Sequence, residues 1–192
     1  MKRLATVIWI VIAACNIQAQ QVYKMIPEQS TMIVTGTSSL HNWEVKAEKI
    51  DCKIIVKNTN PSRVIDMVNL TVWSSDLVSD NSIMDKKTQE ALKSDKYPEI
   101  IFNLNSNEKP VISNNNFGGT VTGELSLAGV VRNISVPFTG ELKGDHLYIN
   151  GSEKIDMSEF GIQPPTALLG TLKTGKEVTI IFSLNFKLEN GT

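Results

Sequence analysis

The chain has 192 residues, 41% of them hydrophobic and 20% charged, with 19 basic against 20 acidic side chains for a net charge of −1. That length suits one domain with a substantial core and leaves no room for a second of ordinary size. The balanced charge excludes the basic footprint that a nucleic-acid partner requires.

At the amino terminus, Lys2 and Arg3 precede an apolar run from Leu4 to Ala14. The run is too short to span a bilayer but has the length of a secretory apolar region. Ala19 puts a small residue before Gln20, so residues 1–19 are expected to be a signal peptide and 20–192 a single exported domain, periplasmic or secreted. Cleavage there leaves 17 basic against 20 acidic residues, a net charge of −3. Ile12-Ala13-Ala14-Cys15 also has the form of a lipobox, and the competing expectation is a membrane-anchored lipoprotein acylated at Cys15. On either expectation Cys52 has no cysteine partner in the domain, so the core and the strand ladders must hold it together.

The next residues alternate. His41, Trp43, Val45 and Ala47 share one face and Asn42, Glu44, Lys46 and Glu48 the other, the pattern of a strand with one dry and one wet side. Parity then switches: Ile50, Cys52, Ile54 and Val56 form the apolar face, which predicts a turn or bulge near Glu48-Lys49. Val68, Leu70 and Val72 continue the theme. One short helix is predicted near residues 83–94, with Ser82 and Asp85 as a capping box and Met84, Thr88, Ala91 and Leu92 on one face. Pro98 pushes Tyr97 toward an extended conformation, and Ile100, Phe102 and Leu104 begin a strand.

Farther on, Ser113 to Asn116 reads as a turn. Val121, Gly123, Leu125 and Leu127 share a face, and Ile134, Val136 and Phe138 follow a turn around Gly129 in which Arg132 is expected to be a solvated charge. Lys143-Gly144-Asp145 reads as another turn. In the last strand, Val178, Ile180, Phe182, Leu184, Phe186 and Leu188 oppose Thr179, Ser183, Asn185 and Lys187, with Ile181 the apolar exception. About eight such strands and one helix suit an all-β, antiparallel barrel without exposed edges, a two-sheet sandwich being the alternative. A barrel of that size either fills with its own side chains or holds one small ligand.

Ser82 to Leu104, GTSSLHNWEV (Gly36 to Val45), GELSLAGVVRNISVPF (Gly123 to Phe138), EFGIQPP (Glu159 to Pro165) and EVTIIFSLNF (Glu177 to Phe186) together resemble the YceI-like family over roughly residues 22 to 188. The resemblance implies a lipocalin-like barrel of the bacterial periplasm, hollow and apolar inside, whose family name is tied to polyisoprenoid binding. No cofactor is expected, since no cofactor signature occurs in the chain.

Two histidines, His41 and His146, fall short of a zinc set, and no Gly-x-Ser-x-Gly elbow, P-loop or Rossmann fingerprint suggests catalysis. Three functions remain. The first is a non-enzymatic carrier of an amphiphilic lipid, by resemblance a polyprenyl lipid or quinone tail. Its cavity would be lined by Trp43, Val45, Val72, Phe102, Leu127, Phe138, Phe182 and Leu184, the bulky members of dry faces, with His41 at the mouth for a headgroup or as a turn cap. The second is a solid-barrel interaction or stress-related module acting through the loops Ser74 to Asn81 and Gly161 to Gly175, where Pro164, Pro165, Leu168 and Leu169 offer a lid, membrane or partner contact. The third is a small hydrolase, which needs a convergent polar cluster. Cys52 is expected to be a buried, inert thiol.

Overall fold

A computed structural model describes residues 20–59, 61–105, 109–167 and 172–189. The expected leader with Cys15, and Leu168 and Leu169 of the second loop, lie outside them.

The elements in chain order are β1 (Gln20–Met25), β2 (Thr31–Ser38), β3 (Asn42–Ala47), β4 (Ile50–Thr59), β5 (Ser62–Trp73), β6 (Leu77–Val78), α1 (Ser82–Leu92), β7 (Glu99–Leu104), β8 (Val111–Ile112), β9 (Asn116–Leu127), β10 (Val130–Lys143), β11 (His146–Asp156), β12 (Thr166–Ala167) and β13 (Leu172–Leu188). Eight of these strands close an antiparallel ring in the order β1-β4-β5-β7-β9-β10-β11-β13, with β13 returning to β1. The barrel is thus all-β and lipocalin-like, and closure decides against a sandwich.

The ring closes only at one end. β1 lies against the last residues of β13, Phe186 to Leu188, whereas β2 lies against its earlier part, from Thr174 to Ser183. Between them the chain bends through a 3-10 turn at Pro27–Gln29, where proline supplies the fixed φ. Asn185 fastens the bend: Ile26 N–H donates to its carbonyl at 2.7 Å, and its own N–H donates to the Ser30 hydroxyl at 3.0 Å. Beyond the bend, β2, β3 and β6 peel off as a branch, and α1 packs against the gap. The parity switch at Glu48-Lys49 marks the chain leaving this branch for the ring, since β3 pairs β2 and β6 while β4 pairs β1 and β5.

A second change of parity has no counterpart in the sequence pattern. In the β4–β5 ladder Ile55 faces Met67 and Val56 faces Ile65, so Asp66 is an extra residue, a β-bulge. It lets Ile65 and Val68, three residues apart, both turn inward.

The helix and one turn differ from expectation. Asn81 rather than Ser82 caps α1, its side chain accepting from Ile83 N–H at 2.9 Å and Met84 N–H at 3.2 Å. Asp85 instead receives the Ser79 hydroxyl and N–H. Lys93 stops the helix in the left-handed conformation, φ 56°, short of residue 94. Arg132 stands inside β10, not in a turn, and its Nε donates to the Glu159 carbonyl; the turn itself is Ala128-Gly129, both at positive φ as a tight hairpin of this hand demands. Asn116, expected in a turn, starts β9.

One end is closed by Tyr23, Val56, Ile65, Ile112, Leu142, Leu147 and Phe186, a packed apolar floor. Leu147 and Phe186 are fully buried, and each contributes about 1.5–3 kcal/mol by removal from water. At the opposite end the 3-10 turn Met157–Phe160 folds Met157, Phe160 and Ile162 onto Leu127, Ala128 and Ile155. Asp156 caps that turn. Hydrogen bonds from Ser158 and Lys176 hold its carboxyl down at about 2.

Candidate functional site

Above the floor the barrel is hollow. A chamber of about 480 Å³, within the range of small-molecule sites, runs from the floor to the end where α1 packs. All eight bulky residues named from the sequence border it, and His41 does too. Phe138 and Leu184 belong to the floor cluster; Val72, Leu127 and Val45 are buried in the wall; Trp43, Phe102 and Phe182 are half-buried. The face of α1 legible in the sequence, Met84, Thr88, Ala91 and Leu92, completes the enclosure, although none of its residues is fully buried.

Glycines keep the chamber open. A Cβ on Gly36 would stand 2.2 Å from the Trp43 ring, one on Gly123 2.2 Å from Phe102, and one on Gly151 2.4 Å from Phe182. Each ring therefore occupies the space that a side chain at the neighbouring strand's glycine would fill. The Trp43 indole N–H is satisfied by the Thr37 carbonyl at 3.1 Å, so the ring adds apolar wall without an unpaired donor.

The rim is amphipathic. Leu40 and Ile83 border the chamber yet are 68% and 69% exposed. His41 precedes β3 and is exposed; its Nδ1 lies 2.7 Å from the Asn42 carbonyl, to which it donates. The Ser38 hydroxyl, bonded to the Leu40 and His41 N–H groups and the His41 carbonyl, caps the turn, and His41 borders the mouth. Lys87 and Lys173 also border the chamber, and Lys87 donates to the Thr166 carbonyl at 3.1 Å, tying α1 to β12.

Polar side chains on the chamber were missed, Glu153 above all. Leu147, Ile149, Gly151, Glu153 and Ile155 share one face of β11, and of these Ile149, Glu153 and Ile155 border the chamber. The signal was present: carrying the two-residue repeat through Gly151 puts a carboxylate on a dry face. Among the described residues no group of three or more His, Cys, Asp or Glu is placed to hold a metal ion.

Cys52 also borders the chamber, near its floor, and is buried. Burial, with Asp51 nearby, pushes its thiol well above the ordinary range, so little thiolate exists at neutral pH. A polar thiol reagent is expected to label the native protein slowly and the denatured protein at once, with absorbance of the released thiol as the readout. Equal rates would mean that the floor opens freely to water.

A family model described as a YceI-like domain matches residues 23–186. No curated protein sequence matches. Among solved structures, Burkholderia cenocepacia BcnA is 15% identical with a TM-score of 0.67, over 84% of this chain and 98% of that one. A polyisoprenoid binding domain from Saccharophagus degradans, implicated in plant cell wall breakdown, is 10% identical with a TM-score of 0.67, over 87% and 98%. A Campylobacter jejuni YceI protein is 15% identical with a TM-score of 0.59, over the whole of both chains. At such identities these likenesses establish the fold alone.

Proposed function

Because the chain belongs to the YceI-like family, we propose that it is an exported, non-enzymatic protein whose chamber holds an amphiphile with a long apolar tail, an isoprenoid such as a polyprenyl lipid or quinone tail, for transport or sequestration. The observation that carries this reading is the chamber: about 480 Å³ walled by aliphatic and aromatic side chains, with its polar groups gathered chiefly at the rim. The polyisoprenoid binding domain of S. degradans, which shares the fold, supports an isoprenoid as the occupant. A hydrolytic site would need a second polar group beside Glu153, but the residues opposite it in register are Ile180, then Val34, then Val45.

Export rests on the leader-like residues 1–19, with cleavage before Gln20. Acylation at Cys15 is the alternative, and intact mass of the native protein separates the two. Each methylene moved from water into the chamber contributes about 0.8 kcal/mol, so a tail of several isoprene units is held firmly against water. Against a bilayer the gain nearly vanishes, which makes loading and release reversible at a membrane.

Organic extraction of the protein purified from its native envelope, followed by mass spectrometry, tests the reading. The expected result is one dominant long-chain species with the mass spacing of isoprene units. An extract that only mirrors the bulk phospholipids would overturn it.

A further inference from the structure

Among the described residues that border the chamber, Glu153 is the one acidic side chain; two lysines, Lys87 on α1 and Lys173 at the start of β13, border it as well. Glu153 pairs in register with Ile180, and its neighbours on the same face of β11 are Gly151 and Ile155. Its carboxylate makes no hydrogen bond or ion pair with any described residue, neither lysine included. It is partly exposed, and the open mouth lets water reach it.

That arrangement constrains the occupant. A ligand filling the chamber past the rim displaces the water at Glu153, and a carboxylate stripped of water beside aliphatic side chains is costly unless a donor replaces it. A purely apolar tail supplies none, and an anionic head adds repulsion. We infer, building on the carrier reading above, that Glu153 is the polar anchor of the chamber and that its ligand carries a hydrogen-bond donor at that depth, a hydroxyl or a protonated amine. The head then passes inside the rim instead of resting on Lys87 and Lys173.

The test uses three amphiphiles with one tail, hexadecylamine, hexadecanol and hexadecanoate, as competitors of the neutral fluorescent probe N-phenyl-1-naphthylamine. For the unaltered protein the amine and the alcohol are expected to displace the probe at concentrations about tenfold lower than the acid, the worth of a hydrogen bond to a charged group. Glu153→Gln keeps an acceptor of the same shape but removes the charge and adds an N–H donor, so the amine loses its advantage and the acid, no longer repelled, rises to match the alcohol. Glu153→Leu completes the apolar wall and removes both advantages. The same order of affinities in all three proteins, or tightest binding of the acid to the unaltered one, overturns the inference while leaving the chamber as a tail site. A probe that binds none of the three overturns the carrier reading and this inference with it.

Discussion

Phe102→Arg is expected to weaken binding of a neutral apolar probe by about tenfold or more while the barrel still folds. Phe102 sits on β7, half-buried, its ring packed over Gly123 and bordering the chamber. A guanidinium in its place is tolerated as long as water fills the lumen. An apolar occupant must strip that water away, and an unpaired polar group left dry costs about 1–3 kcal/mol at least. Position 102 is chosen over 182 for a specific reason. β13 lies beside β11, so an arginine replacing Phe182 would have Glu153 within reach as a partner, whereas β9 and β10 separate β7 from β11 in the ring. Phe102→Leu serves as the control and keeps an apolar wall. Fluorescence titration on variants with matched circular dichroism is the measurement; undiminished binding to a folded Phe102→Arg protein means that the probe sits elsewhere and the chamber is not the site.

The chamber's walls were readable because a strand with one dry face writes that face into every second residue. The eight side chains chosen for bulk on such faces all border the lumen, and so does the apolar face of α1. Size and parity select them, and whether such residues hold a ligand is what the Phe102→Arg titration reads. Whether the dry faces met each other or enclosed space was not readable, because the openness depends on glycines one strand away: Gly36 under Trp43 and Gly151 under Phe182 are neighbours only through pairings that the order of residues does not reveal. The helix cap slipped by one residue because Asn81 and Ser82 are both good caps, and only backbone geometry selects between them. Glu153 escaped because no alternation is drawn from the stretch after the Lys143-Gly144-Asp145 turn, where Gly151 interrupts the apolar series, although Ile149 and Ile155 on either side fix its parity as inward.

The bulge at Asp66 is the largest feature that the alternation hid, and removing it is expected to cost the fold most. Ile65 is 2% exposed, while Val68, Leu70 and Val72 border the chamber. These odd and even positions share a face only because one residue between them is left out of the ladder. Deleting Asp66 does not test this, because Ile65 and Val68 are then two residues apart and a regular ladder keeps both inward with the same partners. Inserting one alanine between Ile55 and Val56 does: it gives Asp66 a partner, removes the bulge, and a regular ladder then turns Val56 and Ile65, 1% and 2% exposed, toward solvent. Each loses about 1.5–3 kcal/mol of burial. The sum is about 3 kcal/mol or more, a fall of roughly 10 °C in Tm for a domain of this size. Asp66→Ala separates the bulge from the charge. It keeps the extra residue and removes only the carboxylate, which Lys109 and Lys57 contact from the surface, a loss of about 0–1 kcal/mol. Hydrogen bonds from Lys109 and Lys57 hold that carboxyl below its usual range, so what the contacts contribute is present at neutral pH and fades as acid protonates Asp66. Thermal unfolding followed by circular dichroism should therefore rank the insertion far below Asp66→Ala and the Asp66 deletion, which both melt close to the unaltered protein. An insertion variant that melts with them would show that the strands keep Val56 and Ile65 inside without the bulge.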